Sequence, residues 1–149
     1  MNASAQALSI SIVRKIANVS AIVQTQFPSV LVDFSTWALD EQTQKRFDPD
    51  SIDIAFSFPT WQSHLSCGCI LLQVYFAGNI QSPKRTLSRI KLTGHDWKGQ
   101  NWRFSARASH QFSANFSGIY VPSSEGQQQL RVAVSQLLKL FGCPASLPL

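Results

Sequence analysis

Three short runs hold the residues best equipped for chemistry. His64-Leu65-Ser66-Cys67-Gly68-Cys69 offers an imidazole and two thiols, and imidazole and thiolate suit Zn2+. A structural zinc needs four ligands and a tight loop between paired cysteines. No fourth ligand lies nearby, and Cys67 and Cys69, two apart on a strand, are expected to point the same way. Buried, inert thiols fit better, so no metal is expected. Asp48, Asp50 and Asp53 are oxygen ligands of the kind Ca2+ takes. They lack the glycine at the sixth position and the glutamate at the twelfth that an EF-hand loop requires. A solvated turn, with Asp48 or Asp50 capping backbone amides, is the better fit.

Nucleophilic catalysis needs a nucleophile, a base and a group that orients the base. Serines are abundant, but no G-x-S-x-G occurs, and His64, His95 and His110 fall in different predicted elements. His110 lies on the apolar side of its strand, which suits a hydrogen-bonded core histidine. His95 and Asp96 are adjacent, and adjacent strand residues face opposite ways. The two glutamates, Glu41 and Glu125, are far apart in the chain, and no G-x-G-x-x-G or Walker-type loop is present. The expectation is a non-enzymatic protein with no cofactor.

The third run is basic. The chain carries a net charge of +5, unevenly spread. Residues 33–53 hold six carboxylates and two bases, whereas residues 84–107 hold seven bases and only Asp96. A field of that shape favours an anionic or dipolar partner. Arg89, Lys91, Arg103 and Arg107 are expected on one polar sheet face. Lys98 is expected at a hairpin tip beside Trp97, with Lys84 and Arg85 on the loop before it. These residues form the candidate binding site, and an acidic protein surface is the expected partner. A nucleic-acid backbone is the alternative, since cations beside aromatics hold phosphates and stack bases. The run from Lys98 to Phe104 starts like the basic-Gly signature of an RNA-recognition motif. It then places Gln100 where an aromatic belongs, and the strand order differs. A merely solvated face also accounts for the charges, because Arg and Lys keep sheet edges from aggregating.

The elements that must position these groups are organised around residues 102–116. There Trp102, Phe104, Ala106, Ala108, His110, Phe112, Ala114 and Phe116 alternate strictly with polar residues. Period two means a strand with one buried and one wet face. Its reach of ~50 Å exceeds most strands in small domains, so a bend or break is expected at residues 111–113. Strands are also predicted over 30–35, 51–58, 67–77 and 87–93. Pro59 is expected to stop the second of these, and Leu71 makes the third apolar on both faces, hence central. A bulge at Gly94 would bring Trp97 to the face of Ile90 and Leu92, paired with Trp102 across a four-residue loop, 98–101. A turn of helix fits residues 40–46.

Two helices flank the strands. Leu8, Ile12, Ile16, Val19 and Val23 form an apolar stripe over residues 5–24. Leu130, Val134, Leu137, Leu138 and Phe141 form another over 124–141, with Ser124 and Gln127 as a capping box and Gly142 at the C′ position. The fold expected is one α+β domain: a mainly antiparallel sheet of about five strands, one face covered by both helices. A sheet curled around the C-terminal helix would make a small apolar-ligand carrier, with a pocket lined by Phe56, Phe104 and Phe112. Three cysteines, an odd count, and no basic-then-apolar leader point to a reducing, cytoplasmic setting. The most apolar stretch, residues 69–78, is too short to span a membrane as a helix.

Overall fold

The computed structural model describes residues 1–36, 50–108 and 115–143. The chain is α+β. Six strands run antiparallel in sequence order: β1 (Leu31–Asp33), β2 (Ser51–Gln62), β3 (Cys67–Ala77), β4 (Thr86–Asp96), β5 (Gly99–Arg107) and β6 (Ser117–Gly118). Helices α1 (Ala3–Gln6) and α2 (Ile10–Gln26) precede the sheet, and α3 (Ser124–Leu140) follows it. The helix predicted over 40–46, His110, Phe112 and the break predicted at 111–113 lie outside the described residues.

The sheet gains a sixth strand because the long alternating run does not stay one strand. β5 ends at Arg107, and the chain returns along it, pairing Ser117 with Arg103 and Gly118 with Trp102. Gly118 takes φ +145°, and a Cβ there would stand 2.2 Å from the Asn101 carbonyl oxygen, so only glycine admits this close return. Phe116 still packs, half-buried, against the strand, stacked on Phe104 at 4.5 Å between ring centroids.

The even-numbered residues of β2 to β5 meet the helices. Ile54, Phe56, Leu72, Val74, Ile90, Leu92, Trp102 and Phe104 form one core with Ile12, Ile16, Val19 and Val23 of α2 and Leu130, Val134 and Leu137 of α3. The predicted first helix divides, however. Asn2 caps α1, accepting from the Ala5 amide at 2.7 Å, and Ser9 in extended geometry caps α2, accepting from Ile12. The serine side chain offers the backbone a fresh start. Leu8, between the two helices, is 73 % exposed and drops out of the stripe.

Two strand boundaries also move. β2 passes Pro59 and runs to Gln62. Its register with β3 slips between Ser57 and Gln62, and Pro59 sits in that slip, where the ladder needs no N–H from it. β4 runs to Asp96, with the expected irregularity between Gly94 and His95. Asp96 then pairs with Gly99, so the hairpin turn is Trp97-Lys98, two residues and not four. Asp96 Oδ1 accepts from the Lys98 amide at 2.7 Å and the Gly99 amide at 3.1 Å. Trp97 is consequently 89 % exposed, and the predicted Trp97–Trp102 pair does not form. Trp102 instead lies over Gly94, fully buried, its Nε1 donating to the Leu65 carbonyl at 2.7 Å.

α3 is anchored at both ends. Its N-cap is Ser123, one residue before the predicted cap. The Ser123 amide and hydroxyl both donate to the His64 carbonyl, at 2.9 and 3.2 Å. Gln127 does not close a capping box; its side-chain amide donates to the Pro122 carbonyl at 3.0 Å. At the other end Gly142 takes φ +82° as expected at C′. Its amide reaches Lys139 O, and that of Cys143 reaches Leu138 O, the pair of bonds that closes a Schellman motif.

Candidate functional site

Strand register arranges the second face of the sheet in rows. Tyr75, Arg89 and Arg107 are neighbours across β3, β4 and β5. Next come Gln73, Lys91 and Ser105, then Leu71, Thr93 and Arg103. Cys69 and His95 pair beyond them. Directly opposed residues lie about 4.5–5.5 Å apart at Cβ, so Arg89, Lys91, Arg103 and Arg107 share one small area. This face is not polar throughout, as the alternation suggested: Ala55, Leu71 and Thr93 on it are buried. Leu71 is flanked by Ala55 on β2 and Thr93 on β4, and small neighbours let it sink between them.

The cations differ in setting. Arg103 and Arg107 are exposed, Arg89 and Lys91 half-buried. The Arg89 guanidinium lies 4.3 Å from the centroid of the Tyr75 ring, a cation–π contact. Arg103 Nε donates to Ser117 Oγ at 3.3 Å. Partial burial, then the charges of Arg89 and Arg103, hold the Lys91 ammonium below the usual lysine range. Arg89, Lys91, Arg103, Ser105, Asn115 and Ser117 border a recess of about 330 Å³. Three cations, two hydroxyls and an amide can hold carboxylate or phosphate oxygens by charge-assisted hydrogen bonds. His95 stands at the end of this face, its Nε2 2.8 Å from Thr93 Oγ1. Burial keeps its pKa below the usual histidine value, against the pull of Asp96 and with the push of Lys91.

The other predicted site residues are elsewhere. Trp97 and Lys98 occupy the hairpin tip, with Lys98 Nζ 4.9 Å from the Trp97 ring centroid. Lys84 is exposed on the β3–β4 loop. Arg85 turns away toward the helices, its Nη2 donating to Ser11 Oγ at 3.3 Å. Spacing alone carried no signal for that turn.

The His64, Cys67 and Cys69 run does not assemble, and among the described residues no group of three or more His, Cys, Asp or Glu is placed to hold a metal ion. Cys67 is fully buried in the core beside Trp102, whereas Cys69 faces His95 and takes a long contact from Ser57 Oγ at 3.8 Å. The two thiols therefore do not share surroundings, as two residues on one regular strand would. Burial, with Cys69 adding to it, pushes the Cys67 thiol up to about 12. Cys67 should therefore resist iodoacetamide at pH 8 in the folded protein and react once urea unfolds it. Mass mapping of the labelled peptide checks this, and labelling of Cys67 in the native state would refute its burial. Asp53, from the acidic run, is buried and binds the Met1 amino group at 3.1 Å and the Ser51 hydroxyl at 2.9 Å. Asp48 lies outside the described residues. Phe56 and Phe104 are buried within the continuous core, and Phe112 lies outside the described residues. Among those described, no helix is long and apolar enough to cross a membrane.

Comparison with curated proteins and with solved structures finds no match. A family model described as a domain of unknown function matches residues 4–143, most of the chain, and the chain belongs to that family.

Proposed function

We propose that this protein is a non-enzymatic binding module whose second sheet face docks an acidic protein surface. The observation that carries this reading is the convergence of Arg89, Lys91, Arg103 and Arg107 on neighbouring register positions. Among the described residues the ion pair is Met1–Asp53, which involves none of the four. Burial first, and after it the like charges of Arg89 and Arg103, lower the Lys91 pKa, so part of the cost to its ammonium is repulsion within the cluster. An acidic partner relieves it.

The aromatic surfaces favour protein over nucleic acid. A single-strand platform interleaves cations with free ring faces. Here the Tyr75 ring is covered by Arg89. The exposed Trp97 stands eight residues beyond Arg89 on the same hairpin arm, ~26 Å at strand rise.

The test replaces Arg89, Arg103 and Arg107 together with glutamine and follows association with poly-glutamate and with duplex DNA. Far-UV circular dichroism should be unchanged, because all three side chains reach solvent. Association with poly-glutamate at low salt should slow by about tenfold or more, since steering follows the summed field. Tighter capture of DNA than of poly-glutamate, with a log–log salt slope that flattens by about 2.7 in the variant, would replace this reading with the nucleic-acid one. Indifference of both probes to the three substitutions leaves a solvated face and sinks the proposal.

A further inference from the structure

On the helix side of the molecule, where α2 begins and α3 ends, lies a cleft of about 640 Å³. Three elements each bring one cation to it: Lys15 from α2, Arg85 from the β3–β4 loop and Lys139 from α3. No aspartate or glutamate is among its described lining. Phe76, Leu87 and Phe141 supply an apolar wall, with Phe76 and Phe141 edge to face at 5.5 Å.

The cations are not equivalent. Lys15 Nζ donates to the Leu140 carbonyl at 2.8 Å and lies 5.7 Å from the Phe141 ring centroid. It thus satisfies the carbonyl end of α3, where a cation is favourable. Arg85 is held in place by two bonds, Nη1 to Ser82 O at 3.4 Å and Nη2 to Ser11 Oγ at 3.3 Å. A guanidinium has five N–H donors, so most remain for a ligand. Lys139 is exposed at the cleft's edge and free to close on one. The cleft is of a size that suits a small ligand, with charge on one side and rings on the other.

We infer that this cleft binds a phosphate monoester bearing a compact apolar body. The phosphate sits between Arg85 and Lys139, beside the Ser11 hydroxyl. The apolar body lies on Phe76, Leu87 and Phe141. A dianion with three terminal oxygens matches two spare cations and this hydroxyl better than a carboxylate, which has one charge and two oxygens. This site is separate from the sheet face and does not depend on that proposal.

The probe is phenyl phosphate, titrated into the whole chain and followed by calorimetry and by 1H–15N amide shifts. Saturable binding should move the amides of Ser11, Arg85 and Gly142. Arg85→Gln and Lys139→Gln should each weaken it about tenfold or more, as loss of a charge-assisted hydrogen bond does. The Arg89, Arg103 and Arg107 glutamine triple should leave it unchanged, so the two proposals fail separately. Inorganic phosphate should bind more weakly for want of the apolar wall, and benzoate more weakly for want of charge. Lys15 is left intact because it ties α2 to α3. No saturable binding at millimolar phenyl phosphate, or an affinity indifferent to both cleft substitutions, would overturn the inference. Equal binding of inorganic phosphate or of benzoate would equally overturn the ligand class.

Discussion

Replacing Trp102 with alanine is expected to lower the stability measured by urea unfolding by about 3–5 kcal/mol, the range for large aromatic truncations in a core. The indole is fully buried and leans edge to face on Phe116 at 5.4 Å. It also bonds Leu65 O at 2.7 Å, and its loss leaves that carbonyl without its donor. The companion expectation concerns Gly94. A Cβ there would stand 2.1 Å from the indole Cε2 and Nε1. The ring cannot step aside, because the hydrogen bond and the surrounding core hold it. Gly94→Ala should therefore cost about 1–3 kcal/mol in the native background, as overpacking does. In the Trp102→Ala background the new methyl enters vacated space, and the cost should largely vanish. The coupling in this double-mutant cycle is the diagnostic quantity. Equal cost of Gly94→Ala in both backgrounds would mean that the indole does not lie over Gly94.

That pair also shows what period-two alternation can and cannot convey. Alternation assigns a side chain to a face as long as the ladder is regular. It placed Arg89, Lys91, Arg103 and Arg107 together on β4 and β5, and the register keeps them together. It also marked Trp102 and Phe104 as core, which they are. At the bulge after Gly94 the parity is set by turn length, and nothing in the alternation says whether the hairpin closes over two residues or four. Trp97 lies beyond the reach of the alternation for that reason. Leu8 illustrates the same limit on a helix: the stripe was real from Ile12 onward, but local capping by Ser9 cut it. Arg85 is a different case. Its orientation depends on Ser11, 74 residues away in the chain. No local pattern encodes such a contact, so the cleft it helps to line is invisible until the helices are docked. No local pattern announces the return of β6 either: Gly118 is demanded by a backbone it meets only in space.

The sheet built on this alternation meets its sharpest test at two adjacent residues. Phe104→Ala should cost about 3–5 kcal/mol by urea unfolding, and Ser105→Ala should stay within ~0.5 kcal/mol. Phe104 is 1 % exposed, and Ser105 is exposed on the opposite face. The environment of Phe104 argues for the upper part of its range. Its ring stacks on Phe116 at an interplanar angle of 30°. The Arg131 guanidinium lies 5.4 Å from the Phe104 ring centroid and 5.5 Å from that of Phe116. Arg131 Nη1 is buried with no hydrogen-bond partner, so the two ring faces are what the buried side of this cation meets. Removing Phe104 opens a cavity and deprives Arg131 of one of those faces at once. Replacing Arg131 with methionine removes the charge while retaining an unbranched chain. Phe104→Ala should then cost about 0.5–1 kcal/mol less in that background than in the native one, the size of a cation–π term. A cost independent of Arg131 would reduce the contact to packing alone, and equal costs at Phe104 and Ser105 would refute the alternation on which β5 is built.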